Sequence, residues 1–208
     1  MSTSTTTRVL LICGSLQTRS TNRASLAVVG ERLTTNGAIV RTADWLGSIK
    51  PFNLDYQDDP GDAVVAFRTA ILEADAVVVA TPEYAAAIPG MLKNALDWVV
   101  GTGELYSKPI AVVSAGTTGG EHARNQLVRS LMWQGGHVVA SLAVASPLTK
   151  SDADGWLTDQ ATIANLNELA DTIEGASQLA PTARRRLIDQ VASAAGVEPG
   201  HVAPIPGE

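Results

Sequence analysis

The segment Gly14-Ser-Leu-Gln-Thr-Arg-Ser-Thr-Asn22 gathers hydroxyl and amide side chains (Ser15, Gln17, Thr18, Ser20, Thr21, Asn22) around one cation, Arg19. It lies between a short apolar run and a stretch with helical spacing. A loop in that place adds the free N–H groups and positive dipole end of the following helix to its own donors. The combination suits a dianion, above all a terminal phosphate. An ordinary polar turn with Ser20 or Thr21 as N-cap is the alternative. Neither G-x-x-x-x-G-K-S/T nor G-x-G-x-x-G occurs there, which argues against a nucleoside-triphosphate loop and a Rossmann dinucleotide fingerprint.

Two further stretches share this position after an apolar run. Thr81-Pro-Glu-Tyr-Ala-Ala-Ala-Ile-Pro-Gly90 is stiffened at both ends by Pro82 and Pro89. A rigid loop of this kind presents an aromatic wall, Tyr84, and ordered backbone amides, which suits a flat ring with heteroatoms along its edge. Glu83 reads equally as a ligand contact or as a helix-cap acceptor, and Tyr84 as a packed loop aromatic. Lys93, Asn94 and Asp97, further along, serve structure or a subunit interface. Ser114-Ala-Gly-Thr-Thr-Gly-Gly120 is built of small residues that let a ligand approach the backbone closely. Taken alone, it is a tight strand-to-helix turn.

The other reactive side chains have plainer readings. Cys13 ends a buried strand and packs there; as the one cysteine it can form no internal disulfide. His122, His137 and His201 are too scattered to read as a metal site. Arg184, Arg185 and Arg186 read as a solvated helix face, with an interface or a contact to an NADPH 2′-phosphate as the alternative. Trp133 and Trp156 fit either the neighbourhood of the site or a contact between subunits.

The elements that must position the three loops alternate along the chain. Val9–Cys13, Ala38–Ala43, Asp75–Ala80, Pro109–Ser114 and His137–Val144 are apolar enough to be strands, most of them buried on both faces. Helices are expected between them: one ending near Asn36-Gly37, then Ala63–Ala74, Gly90–Val100, Glu121–Gln134 and a last long one over Thr158–Ala176. Gly47–Gly61 reads as a surface excursion. Such alternation implies an α/β fold with a parallel sheet covered on both faces. In open sheets of this type, ligands bind beyond the carboxyl ends of the strands, at the switch in strand order. Residues 1–7 read as a flexible lead, 8–180 as the domain, and 181–208 as an extra helix over Thr182–Ala195 with a loose Pro- and Gly-rich end.

Composition bounds the partners. The chain has 208 residues, 45% hydrophobic and 17% charged, with a formal charge of −6. One domain with a real core is expected at this length. The acidic balance disfavours nucleic acid and anionic membranes. No apolar run approaches the roughly 20 residues that span a bilayer. The Ser/Thr-rich start does not read as a signal peptide, so a cytoplasmic protein is expected. The low charge content favours an oligomer.

Gly14–Arg23 resembles the GSLRxxSxNR phosphate loop of the NADPH-dependent FMN reductases. Thr81–Trp98 resembles that family's TPEYNxSIPGxLKNAIDW signature, and Ser114–Gly120 resembles its third flavin loop. The likeness runs over about residues 8–175. It implies a flavodoxin-like three-layer sandwich around a five-stranded parallel sheet of order 2-1-3-4-5, with FMN at the first and third strand ends. By the same likeness, Ser15, Gln17, Ser20, Thr21 and Asn22 hold the FMN phosphate, with Arg19 at a variable position beside them. Pro82, Glu83, Tyr84 and Ala85 line the isoalloxazine. Ser114, Gly116, Thr117 and Gly119 close the other side.

Two departures from the pattern stand out. Gln17 replaces an Arg. Ala85 and Ala87 replace an Asn and a Ser, so any hydrogen bond to the flavin edge falls to the backbone N–H groups of Ala85 and Ala86. The resemblance implies electron transfer from NADPH or NADH, through FMN, to a small acceptor (quinone, free flavin, azo compound or metal oxyanion) in a ping-pong cycle. It also implies a homodimer or homotetramer. A non-enzymatic FMN shuttle or redox sensor, and a scaffold that has lost its cofactor, are the alternatives.

Overall fold

The polypeptide path follows the expected alternation, as seen in a computed structural model that describes residues 6–176 and 178–207. The expected flexible lead falls largely on residues 1–5, which lie outside the described residues. The strands are β1 (Arg8–Cys13), β2 (Ile39–Ala43), β3 (Ala76–Thr81), β4 (Pro109–Gly116) and β5 (His137–Ala145). They form one parallel sheet in the order β2-β1-β3-β4-β5. The helices are α1 (Thr21–Thr35), α2 (Asp62–Glu73), α3 (Gly90–Asp97), α4 (Glu121–Trp133), α5 (Gln160–Gly175) and α6 (Pro181–Ala194).

The chain steps from β1 outward to β2, then back across β1 to β3 and onward. With right-handed crossovers, that reversal puts α1 on one face and α2, α3 and α4 on the other. Helix α5 returns to pack beside α1. Central β3, Ala-Val-Val-Val-Ala-Thr, is buried at every position, whereas edge strand β2 exposes Ile39. The core on the two faces is filled by Leu10, Ile12, Leu33, Phe67, Ile71, Leu92, Leu127 and Leu131. Gly37, with φ of 98°, turns the chain out of α1 where a stop was expected.

Helix α3 ends three residues earlier than its pattern suggests. Beyond Asp97 the backbone tightens, Val99 N–H bonding Leu96 O and Val100 N–H bonding Asp97 O at three-residue spacing. The Trp98 indole donates to Lys50 O at 2.9 Å, and Asn94 bonds the backbone of Ile49, Lys50 and Phe52. The excursion after β2 is therefore strapped to α3. It contains two short 3-10 turns, Leu46–Ser48 and Leu54–Tyr56.

The C-terminal end departs from expectation. Helix α6 forms where expected and lies on β5 and α4. Arg184, however, is not on a solvated face. It is buried, its guanidinium donates to Ser107 O at 2.7 Å, and burial lowers its pKa. Nor is the segment beyond Gly196 loose. Val197 and Ile205 are buried, Trp133 stacks on His201 with ring centroids 4.1 Å apart, and the His137 Nε2 lies 3.1 Å from Ala203 O. The segment is docked through Trp133, His137 and Ser107, whose hydroxyl meets Pro204 O at 3.5 Å.

Burial pushes the His137 pKa down, and the charges of Arg184 and Arg185 add to this; the carbonyls of Ala203 and Pro204 oppose it more weakly. Folded His137 thus binds a proton less readily than unfolded His137. Its contribution to stability is complete above about pH 6.5, the ordinary histidine value, and is lost as pH falls through the window beneath. We expect the melting temperature to decline between pH 6.5 and 5, and His137→Gln to flatten that decline. Parallel curves for the two proteins would contradict the assignment.

Candidate functional site

Strands β1, β3 and β4 are neighbours, so the loops that leave their carboxyl ends emerge side by side. The register pairs Cys13 with Ala80 and Thr81 with Ser114. Three contacts tie the loops together. The Asn22 amide donates to Ala115 O at 3.2 Å and accepts from Ala115 N at 3.0 Å. Glu83 Oε2 accepts from Ala123 N at 2.9 Å, joining the second loop to the helix that follows the third. Gly14 N donates to Ala80 O at 2.7 Å, and a Cβ on Gly14 would come within 2.8 Å of Leu92 Cδ2, so the first loop must begin with glycine to lie against α3.

In the first loop, Ser15 and Ser20 are buried, while Leu16, Gln17, Thr18 and Arg19 are exposed. The Ser15 hydroxyl accepts from Gln17 N at 3.3 Å, and among the described residues its own proton meets no acceptor. No side chain caps α1 and its first turn holds no acidic residue, so the opening N–H groups are available beside the Ser20 and Thr21 hydroxyls. By contrast α2 and α4 each carry an acid in the first turn, Asp62 and Glu121. Only the first of these three helix starts is electrostatically open to a phosphate. Asn22 contributes differently from expectation: its side chain is committed to Ala115, which leaves its backbone N–H for an anion. Arg19 points away from the loop and donates to Ala153 O.

The second loop makes a two-residue turn. Tyr84 N donates to Ala87 O and Ala87 N to Tyr84 O, both at 3.0 Å. Ala85 and Ala86 between them have φ of 51° and 60°. A left-handed backbone costs an L-residue roughly 1–2 kcal/mol. Both alanines are exposed, with amide N–H groups that meet no acceptor among the described residues. Pro82 is buried, and Tyr84, 57% exposed, stands out from the rim. Glu83 is therefore a helix-cap acceptor, one of the two roles its position allowed.

The third loop is held open. The Ser114 hydroxyl donates to Gly119 O at 2.5 Å, and Gly119 N donates to Gly116 O. Gly119 and Gly120 take φ of 87° and 64°, and a Cβ on Gly120 would lie 3.1 Å from Ser114 Cβ. At Gly116 an added Cβ would meet only Gly120 N, at 4.0 Å, so the backbone there faces open space. Thr117 is exposed, and its carbonyl accepts from Ser146 N and Oγ. Uncapped N–H groups, buried hydroxyls, free turn amides and an unfilled glycine cradle fit a phosphorylated planar ring.

Cys13 lies beneath this rim. Burial raises its pKa, and its thiol donates weakly to Ser15 O, so it is a packing residue rather than a nucleophile. Two contributors carry no sequence signal: Gln126 of α4, whose Oε1 accepts from Ile88 N at 2.8 Å, and the segment from Ser146 to Asp159, tied to the third loop by Ser146 and to the first by Arg19. Among the described residues no group of three His, Cys, Asp or Glu is placed to hold a metal ion, and no helix is long and apolar enough to cross a membrane.

The sheet order, with three loops gathered at its switch point, defines a flavodoxin-like protein. The chain matches the family model described as NADPH-dependent FMN reductase over residues 7–150, and it belongs to that family. It is 36% identical over 160 residues to an NAD(P)H-dependent FMN reductase of Pseudomonas aeruginosa, across 73% of this chain and 85% of that one. It is 35% identical over 112 residues to an NADPH:quinone oxidoreductase of Arabidopsis thaliana, across 51% of this chain and 57% of that one. Among solved structures it resembles FerB, a flavoenzyme NAD(P)H:(acceptor) oxidoreductase of Paracoccus denitrificans. There the TM-score is 0.65 at 26% identity, covering 81% of this chain and 97% of that one. A Streptococcus pneumoniae flavodoxin shares the fold, with a TM-score of 0.56 at 15% identity over 83% of this chain and 99% of that one.

Proposed function

We propose that residues 8–180 bind FMN at the rim of β1, β3 and β4, and that the enzyme passes electrons from NADPH or NADH to a small acceptor. The observation that carries this reading is the linkage of the three loops through Asn22–Ala115 and Glu83–Ala123 around an open glycine cradle. When bound, FMN supplies the two-electron chemistry between the nicotinamide and the acceptor. The chain's part is to bind and orient. Ser15, Ser20, Thr21 and the first N–H groups of α1 hold the phosphate. The amides of Ala85 and Ala86 meet the ring edge, and Gly116 to Gly119 back the opposite side. Tyr84 shields one flank.

No histidine or cysteine side chain stands in these loops, in keeping with a cycle in which the protein binds and orients. Donor and acceptor take turns at one open site, a ping-pong cycle, with quinones, free flavin, azo compounds or metal oxyanions as acceptors. A reducing compartment, the cytoplasm, suits this chemistry. Exposed Phe52, Leu54, Tyr56 and Val100 beside α3 support a homodimer or homotetramer.

Purified protein should show flavin absorbance bands. FMN at a hundredfold its Kd should raise the melting temperature by about 5–10 °C. Steady-state oxidation of NADPH and NADH against the acceptor panel should give parallel double-reciprocal lines. Flavin binding without nicotinamide oxidation would reduce the protein to an electron shuttle, and no flavin binding at all would end the proposal.

A further inference from the structure

We propose that Gln126 of α4 is a positioning residue for the flavin: with Glu83 it clamps the Ala85–Ala86 turn so that two backbone amides face the ring. The inference rests on the FMN reading above. It starts from a turn that its own residues do not favour. Ala85 and Ala86 are both left-handed, at φ of 51° and 60°, and alanine has neither the freedom of glycine nor a polar side chain to bond locally there. The conformation must be imposed from outside.

Two hydrogen bonds supply that constraint, one on each flank. Before the turn, Glu83 Oε2 accepts from Ala123 N at 2.9 Å; after it, Ile88 N donates to Gln126 Oε1 at 2.8 Å. Ala123 and Gln126 are one helical turn apart on α4, so a single rigid element grips both ends of the loop. That element is itself immobilised, because Ala123, Leu127, Val128 and Leu131 are buried in the core. The loop cannot relax without breaking a bond to α4.

What the clamp maintains is a pair of N–H donors. The amides of Tyr84 and Ala87 bond each other's carbonyls, whereas those of Ala85 and Ala86 have no partner among the described residues. A strained turn that keeps two donors unsatisfied at the rim of the cradle suits an acceptor edge supplied by a ligand. Amides aimed at the ring edge also tune its electron affinity, since they stabilise developing negative charge. Gln126 would therefore act on the flavin through the loop without touching it.

The experiment compares wild type with Gln126→Ala, which removes the acceptor, Gln126→Met, which removes it while keeping side-chain length, and Gln126→Glu, which retains it. The readouts are FMN Kd by fluorescence quenching, the midpoint potential of bound FMN, and amide exchange at Ile88 in FMN-free protein. We expect Gln126→Ala and Gln126→Met to weaken FMN about tenfold, shift the potential and speed exchange, and Gln126→Glu to restore wild-type values. If Gln126→Ala does not fold, Gln126→Met carries the comparison. Faster exchange with unchanged Kd and potential would make Gln126 a structural residue only and overturn the inference, leaving the FMN reading intact. Wild-type protein that binds no FMN in the same titration would overturn both.

Discussion

Replacing Asn22 with Ala is expected to cost about 2–6 kcal/mol of stability and most of the affinity for FMN. The reason lies in where β3 stops. Its ladder with β4 ends at Thr81 opposite Ser114, one residue short of Ala115. Without a partner, the N–H and C=O of Ala115 would be buried and unpaired. Asn22 supplies both a donor and an acceptor, at 3.2 and 3.0 Å, and so continues the ladder with a side chain. At 3% exposure, the site admits little water to replace the missing amide. Two orphaned backbone groups, at about 1–3 kcal/mol each, give the estimate.

The loss would reach the ligand because the same residue opens α1. If Asn22 lets go, the first turn of α1 is no longer tied to the third loop, and the phosphate donors separate from the cradle at Gly116. Asn22→Asp tests the geometry more sharply. It preserves shape and the acceptor for Ala115 N, but sets a carboxylate against Ala115 O. We expect Asn22→Asp to be as damaging as Asn22→Ala. Chemical denaturation and an FMN titration measure the two effects, and a near wild-type midpoint for either variant would refute the role assigned to Asn22.

The sheet and its rim were legible in the sequence because both follow from local rules. Runs such as Ala-Val-Val-Val-Ala in β3 can only be buried on two faces, and Asn36-Gly37 stops a helix for reasons of backbone geometry alone. Polar, Pro-stiffened and Gly-rich loops directly after such runs must lie at strand ends. What could not be read was which partner a polar side chain would choose. Ser20 and Asn22 are two residues apart with similar chemistry, yet only the Asn22 side chain is captured by β4. That outcome depends on β3 ending at Thr81, a fact of register. Gln126 is an ordinary polar residue on a helix, and its bond to Ile88 exists only because α4 passes behind the second loop. The glutamate was ambiguous for the same reason, and α4 decided it as a cap.

Truncation after Gly196 should lower stability by about 2–4 kcal/mol, although the segment removed looks dispensable by composition. Val197 and Ile205 are its buried apolar anchors, at 8% and 4% exposure, and Ala203 O meets the ring of buried His137. Burying an aliphatic side chain is worth about 1.5–3 kcal/mol, and ordering the backbone between two such anchors takes much of that back. The docking free energy is therefore a small surplus, and it sets a ceiling. A single Ile205→Ala change cannot cost more than complete release of the segment, because release is always available as an alternative. We expect Ile205→Ala and the truncation to destabilise by nearly equal amounts, and the truncated protein to show faster amide exchange at the start of β5. The rim proposed for FMN lies at the opposite, carboxyl end of the strands, so FMN affinity should be unchanged in both. A truncated protein as stable as the full chain would mean that the buried contacts of Ile205 contribute nothing in solution. A loss of FMN affinity would mean that α6 and the segment after it act on the rim through α4, which packs against α6.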